Sequence, residues 1–213
     1  EVDQLEAETV VENNRVDRDV VIIDDYLRLL FVEYEPTWEW RFVKEVFHRD
    51  RLVGMRGFRT YLRSSDPEVR ESNELFVPSL TLPRSEFFAH DVIFLGDMPA
   101  ASLNTRFCEM TKAFVGRFGG GLVVVAGPRF GPGQLANTPL AEMLPVIVDP
   151  DGRCRDERPF PLTVSPMAFQ YDFMRLGQND EENAKAWNNL GRLPWYQPVR
   201  RVEHGSSTVL AEH

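Results

Sequence analysis

The stretch GGGLVVVAGPRFGPG, residues 119–133, decides the fold of this chain. Three glycines lead into an apolar run at 122–126, and a second run rich in glycine and proline follows. This pattern predicts a buried strand that begins after a helix stop and ends in an open loop. In sheets of parallel strands, a loop at this position often holds a phosphate or a nucleophile. The loop is therefore the first place to look for chemistry.

Further apolar runs of strand length occur along the chain. One of them, at 55–62, has Arg56 and Arg59, and then Arg63, between larger apolar residues, as an edge strand might. Strands that alternate with helices indicate βαβ units and a parallel sheet, with right-handed crossovers that cover both faces. We therefore expect an α/β fold of the flavodoxin-like, three-layer type, with a mostly parallel sheet of five or more strands. The predicted strands are 27–34, 55–62, 91–98, 122–126 and 146–148.

Helix signals lie between these strands. Thr37 can cap a helix that places Trp40, Val43 and Phe47 on one face. A longer helix at 103–118 is predicted to end at the three glycines. Thr138 and Pro139 have the residue types of a cap and a first helical position, so a short helix is predicted to begin there.

The chain divides into three regions by composition. Residues 1–26 predict a hairpin, an extended linker or the end of a preceding β-domain. Residues 27–150 contain the flavodoxin-like core. Residues 151–213 form an extension that completes the same domain, and within it Asn179 is expected to cap a helix that Gly191 ends.

The totals exclude some classes of protein. The chain has 213 residues and a formal net charge of −9, which argues against a general nucleic-acid binder. No run of about 18 apolar residues occurs, so this fragment is not expected to span a membrane. The four histidines are scattered and no Cys-x-x-Cys spacing occurs, so no metal site is expected. No cofactor is expected either, because the chain lacks the common nucleotide-binding patterns.

Polar residues follow several of the predicted strands. Glu33 and Glu35 end the first strand, Asp97 follows the third, and Gly127 and Arg129 follow the fourth. The carboxyl ends of parallel strands meet at one edge of a sheet, where ligands bind near the reversal of strand order. These five residues are therefore the candidate binding crevice. The alternative is a set of loop charges with structural partners.

The loop after 122–126 lacks the side chains of the common catalytic loops. A phosphate-binding loop needs a lysine followed by serine or threonine, and a dinucleotide loop needs a third glycine. A nucleophile elbow needs serine or cysteine at its apex, where this chain has Gly127, Pro128 and Arg129. Cys108 lies in a predicted helix as a buried thiol, and Cys154 lies in a polar loop with no neighbouring histidine.

The chain resembles the glutamine amidotransferase-like domain of large bacterial membrane proteins, found with von Willebrand factor A-like segments, especially in planctomycetes. The segments that carry the resemblance are LRLLFVEYEPTWEWRFVKEVFHRD (27–50), HDVIFLGDMP (90–99), FGGGLVVVAGPRFGPGQLANTPLAEMLPV (118–146) and DEENAKAWNNLGRLPWYQPV (180–199). The resemblance implies a class I glutamine amidotransferase superfamily fold, in a domain outside the bilayer of a protein anchored in the cytoplasmic membrane.

The chain departs from that family at the residues of catalysis. True glutamine amidotransferases have a cysteine at the elbow and a later His-x-Glu pair, and neither is present here. We therefore expect a non-catalytic domain that acts in protein interaction or ligand sensing, with other domains of the parent protein or another protein as partner. Two alternatives stay open. One is a hydrolase or transferase that uses the carboxylates of Glu33 and Asp97. The other is a structural spacer between domains.

Overall fold

A four-stranded parallel sheet forms the centre of the computed structural model, which describes residues 25–149, 155–202 and 207–213. The strands are β1 (Leu29–Glu33), β2 (Phe58–Leu62), β3 (Val92–Leu95) and β4 (Gly121–Val124). They lie in the order β2-β1-β3-β4, and all three pairings are parallel. This is the order of the first four strands in a flavodoxin-like sheet. The predicted α/β fold is therefore confirmed.

Helices cover both faces of this sheet. The α-helices of the described residues are α1 (Trp38–Arg49), α2 (Gly54–Gly57), α3 (Pro67–Ser72), α4 (Arg84–Phe87), α5 (Thr105–Phe118) and, in the C-terminal region, α6 (Asp180–Asn188). Alternate residues of β1 point to opposite faces. Leu30 and Val32 pack in a core with residues of α4 and α5. Leu29 and Phe31 pack in a second core with Trp40 of α1 and its neighbours.

The caps that the sequence predicts hold the helix ends. The hydroxyl of Thr37 accepts a hydrogen bond from the backbone N–H of Trp40, at 3.2 Å, and begins α1. The side chain of Asn104, which was not predicted to be a cap, caps α5 in the same way. Gly119 ends α5 with φ +72°, a conformation that residues with a Cβ rarely adopt. Asn179 caps α6, as predicted.

Three local predictions are wrong. Residues 55–57 belong to α2 rather than to the second strand, which begins at Phe58. Val146–Ile147 forms β5, which pairs antiparallel with β9 (Arg201–Val202), so the described part of the central sheet has four strands and not five. Thr138 follows a 3-10 helix at Pro132–Asn137, and the short helix expected from Thr138 and Pro139 begins later, as a 3-10 helix at Ala141–Met143 with Leu140 in the cap position.

The C-terminal region adds short antiparallel pairs around α6. The pairs join β6 (Phe160–Pro161) to β8 (Arg192–Leu193) and β7 (Thr163–Val164) to β10 (Ala211–Glu212). The predictions for residues 1–24 and for Cys154 lie outside the described residues, and the division of the chain into three regions stays a prediction. Among the described helices, none has the length and apolar character needed to cross a bilayer.

Candidate functional site

The ends of three parallel strands meet at the carboxyl edge of the sheet. β1 ends at Glu33, β3 is followed by Gly96 and Asp97, and β4 is followed by residues 125–131, which we name the β4 loop. Because β3 lies between β1 and β4, Asp97 lies between the other two ends. The structure thus brings the candidate residues into one place.

Glu33 is a buried carboxyl group that holds the end of β3. Its side chain is 3% exposed, and its Oε1 accepts a hydrogen bond of 2.8 Å from the backbone N–H of Asp97. Gly96 makes room for this side chain, since a Cβ at Gly96 would lie 2.2 Å from Oε2 of Glu33. Burial raises the pKa of Glu33 to about 7, and the bond from the Asp97 N–H opposes this rise.

Asp97 in turn holds the β4 loop. Its Oδ1 accepts hydrogen bonds from the backbone N–H groups of Phe130 (2.7 Å) and Gly131 (2.8 Å), and its Oδ2 accepts one from Arg129 (2.9 Å). Asp97 is 5% exposed. Gly127 allows the close approach, because a Cβ there would lie 2.2 Å from Cβ and Cγ of Asp97. Three successive backbone N–H groups, a typical anion-binding arrangement, are thus occupied by a carboxylate of the chain itself.

The remaining two candidate residues pair at the outer rim. The guanidinium of Arg129 lies 2.8 Å from Oε1 of Glu35 and 6.0 Å from the centre of the Tyr34 ring. The Tyr34 ring meets the Phe130 ring edge to face, with centroids 5.5 Å apart. Both charged side chains of the ion pair are partly exposed, so the pair contributes about 1 kcal/mol or less to stability. It fixes the loop against the end of β1.

Little space is left between the buried carboxylates. The cavity that Glu33, Thr37, Asp97 and the β4 loop line has a volume of about 10 Å³, which is room for one water molecule. A wider open groove of about 460 Å³ lies on the other side of Thr37 and Pro128. Its lining includes Trp38, which is 68% exposed. The full lining is Glu35, Pro36, Thr37, Trp38, Glu39, Arg41 and Pro128.

Sequence reasoning identified the five residues but not the bonds between them. It treated the carboxylates as facing a crevice, whereas Asp97 and Glu33 accept hydrogen bonds from backbone N–H groups. The signal was an aspartate directly after a strand and a neighbouring loop rich in glycine, since glycine lets a backbone approach a side chain closely. The role of these residues as a binding crevice stays a prediction.

Cys108 has the properties of a structural thiol. It is 0% exposed, its Sγ lies 3.8 Å from the carbonyl oxygen of Leu103, and burial raises its pKa. A thiol in this state is a poor nucleophile. Within the part of the chain that the structure describes, no three histidine, cysteine, aspartate or glutamate side chains lie together as metal ligands would.

Comparison with known proteins adds one structural likeness. No family model and no curated protein matches the chain. Among solved structures, the chain is similar to the cytoplasmic protein STM3548 from Salmonella typhimurium, with 18% sequence identity and a TM-score of 0.55. The match covers 87% of this chain and 78% of that protein. At this identity the likeness concerns the fold alone, and it agrees with the α/β architecture of the sheet.

Proposed function

We propose that this chain is a non-catalytic α/β domain that acts in protein interaction. The observation that carries the proposal is the position of the Asp97 carboxylate on three backbone N–H groups of the β4 loop. In enzymes with a nucleophile elbow, N–H groups at this place stabilise the oxyanion of the transition state. Here the groups already have an anionic partner, and the loop carries no serine or cysteine.

The shape of the site favours a protein partner over a small ligand. A cavity of about 10 Å³ has no room for a metabolite, since ligand sites usually enclose several hundred Å³. The neighbouring groove is open and has an exposed tryptophan, Trp38, beside two prolines, Pro36 and Pro128. Aromatic side chains of this kind are enriched in the cores of protein interfaces. The resemblance to glutamine amidotransferase-like domains makes a membrane-anchored parent protein the expected setting.

The catalytic half of the proposal is tested by assays of glutamine and ester hydrolysis. The purified chain is expected to hydrolyse neither L-glutamine nor p-nitrophenyl acetate above the buffer rate, at any pH from 5 to 9. Asp97→Asn tests whether the occupied N–H groups are the obstacle, and it too is expected to be inactive because the loop has no nucleophile. Turnover that disappears on Cys108→Ser or Cys154→Ser would overturn the proposal.

The interaction half is tested by site-specific cross-linking in the longer parent protein. A photo-reactive amino acid in place of Phe42, which is 66% exposed on α1 beside the groove, is expected to form covalent adducts with protein. The same amino acid in place of Leu190, which is 51% exposed in the C-terminal region, serves as the control. Equal adduct yields at the two positions would contradict a specific surface at α1.

A carboxylate-dependent hydrolase is the second candidate, and one observation favours it. The pKa of Glu33, about 7, is that of a general base matched to neutral pH. The position of Asp97 opposes it, since both carboxylate oxygens accept bonds from the β4 loop. A hydrolysis rate that rises through pH 7 and is lost in Glu33→Gln would establish this function in place of the first.

A further inference from the structure

A ridge of large apolar side chains lies on the outer face of α1. Trp38, Phe42 and Val46 follow one another at intervals of four residues, so they form one line along the helix. They are 68%, 66% and 64% exposed. We name these three residues the α1 ridge. Large contiguous apolar patches on a protein surface mark interaction sites, whereas isolated exposed apolar residues are ordinary.

The ridge is separate from the face of α1 that holds the helix on the sheet. Trp40 is buried in the core below, and its indole N–H donates to the hydroxyl of Thr60 at 2.9 Å. On the outer face, the Trp38 and Phe42 rings lie 6.1 Å apart, and the guanidinium of Arg41 lies 5.2 Å from the Trp38 ring. These contacts hold Trp38 and Phe42 of the ridge together before any partner arrives, which reduces the entropy lost on binding.

The first turn of α1 carries an acidic residue and its last turn carries basic residues. Glu39 lies in the first turn of the helix, just after Glu35, which pairs with Arg129, and His48 and Arg49 lie in the last turn. A second α1 in antiparallel orientation would place its basic end over this acidic end, and the reverse holds at the other end. The helix dipoles would also oppose each other favourably. The surface is therefore complementary in charge to a copy of itself.

We propose that the partner of the α1 ridge is a second copy of this chain, with the two α1 helices antiparallel about a twofold axis near Phe42. The inference rests on the proposed function, since it names the partner for that surface. A twofold interface uses the same patch on both copies. Arg41 and Glu45 lie on the same flank of the ridge, and in this arrangement each Arg41 lies within about one helical turn of the partner's Glu45. Glu45 contacts the half-buried Lys44 at 2.8 Å and the exposed Arg49 at 3.6 Å in its own helix, and Arg41 of the partner would compete with the exposed Arg49 for this carboxylate.

Sedimentation equilibrium over a wide range of concentration tests the association. One helix face buries less than a standard interface, so a reversible dimer with a micromolar or weaker dissociation constant is expected. Phe42→Glu is expected to weaken the dimer at least 100-fold without loss of fold, since Phe42 is exposed. Leu190→Glu introduces the same charge on an exposed apolar position elsewhere and is expected to leave the dissociation constant unchanged.

A charge exchange in trans distinguishes self-association from other contacts. In a dimer of Arg41→Glu, the new glutamate faces Glu45 of the other copy, and in a dimer of Glu45→Arg, the new arginine faces Arg41. Because each variant alone brings like charges together, each is expected to dimerise at least tenfold more weakly. An equimolar mixture of the two is expected to recover the association of the wild type, because each copy then supplies the charge that the other lacks. An interface with any other surface would not recover on mixing.

Three outcomes would overturn the inference. These are a chain that stays monomeric at the highest concentration, a dimer that Phe42→Glu leaves intact, and variants that do not recover on mixing. Monomeric wild-type protein that binds lipid vesicles and loses this binding in Phe42→Glu would assign the ridge to a membrane surface instead. A monomeric chain whose cross-links at position 42 reach a different protein would remove the self-association alone and leave the proposed function standing.

Discussion

Replacing Glu33 with glutamine is expected to remove a pH dependence of stability that the buried carboxyl group creates. The pKa of Glu33 is about 7 in the folded chain, against an ordinary value of 4.5. A group whose pKa rises on folding contributes stability that is fully present below the pKa of the unfolded chain. That contribution is lost as the pH rises through the pKa of the folded state. The window therefore runs from about pH 4.5 to about pH 7.

The magnitude follows from the size of the shift. A rise of about 2.5 pKa units, from 4.5 to about 7, corresponds to about 3 kcal/mol of unfolding free energy. Glutamine is neutral at every pH in the window and keeps an oxygen that can accept the bond from the Asp97 N–H. The free energy of unfolding of Glu33→Gln, minus that of the wild type, is thus expected to increase by about 3 kcal/mol between pH 4.5 and pH 8.

Urea unfolding followed by tryptophan fluorescence at intervals of pH measures this difference directly. Any constant effect of the amide on packing shifts the whole curve and does not change its slope with pH. Glu109→Gln is the matched control, because Glu109 is an exposed carboxylate on α5, and its curve should run parallel to that of the wild type. If the unfolding free energy of Glu33→Gln, minus that of the wild type, stays constant from pH 4.5 to pH 8, the reasoning from burial is refuted.

Three further predictions concern packing in the core and the loop. Gly127→Ala should destabilise the fold by about 2 kcal/mol or more in urea unfolding, since the added Cβ would lie 2.2 Å from the buried side chain of Asp97. Gly116→Ala is the control, because an added Cβ there has no neighbour within 4 Å, and it should stabilise α5 by up to about 1 kcal/mol. Thr60→Val removes the acceptor for the buried Trp40 indole N–H and should cost about 1–3 kcal/mol by the same measurement, whereas an unchanged stability would show that this bond contributes nothing. Cys108, in a chain whose other cysteine is serine, should react with a thiol reagent at the rate of global unfolding, and fast labelling of the native protein would contradict its burial.

The parts of the fold that the sequence predicts well are those where hydrophobic pattern and caps agree. The runs at 27–34 and 91–98 contain β1 and β3, which are buried because their side chains meet helices on both faces. The helix predicted at 103–118 ends at Gly119 as expected, and it begins at Thr105, after a cap by Asn104 that was not predicted. The run at 146–148 is apolar too, but its strand of two residues pairs with a segment about 55 positions later, which no local pattern indicates.

The candidate site shows a different limit of sequence reasoning. Residue types and strand ends predicted that Glu33, Asp97 and the β4 loop come together, because parallel strands end at one edge. They did not predict which groups the carboxylates bind. That depends on the direction of three backbone N–H groups, which follows from the path of the loop and not from its side chains. The burial that raises the pKa of Glu33 likewise depends on the closeness of Gly96.

The two glycines at the sheet edge explain why a loop rich in glycine is not by itself evidence of an anion site. At Gly96 and at Gly127 the space that a Cβ would fill is taken by a carboxylate of the same chain. The glycines are therefore required by internal packing, and they would be required even if no ligand ever bound. A phosphate or an oxyanion at the β4 loop would have to displace Asp97 from its three N–H partners, and the displaced carboxylate would lie buried beside Glu33. Because an unpaired buried charge costs several kcal/mol, such a ligand would meet a penalty that the exposed surface of α1 does not impose on a partner.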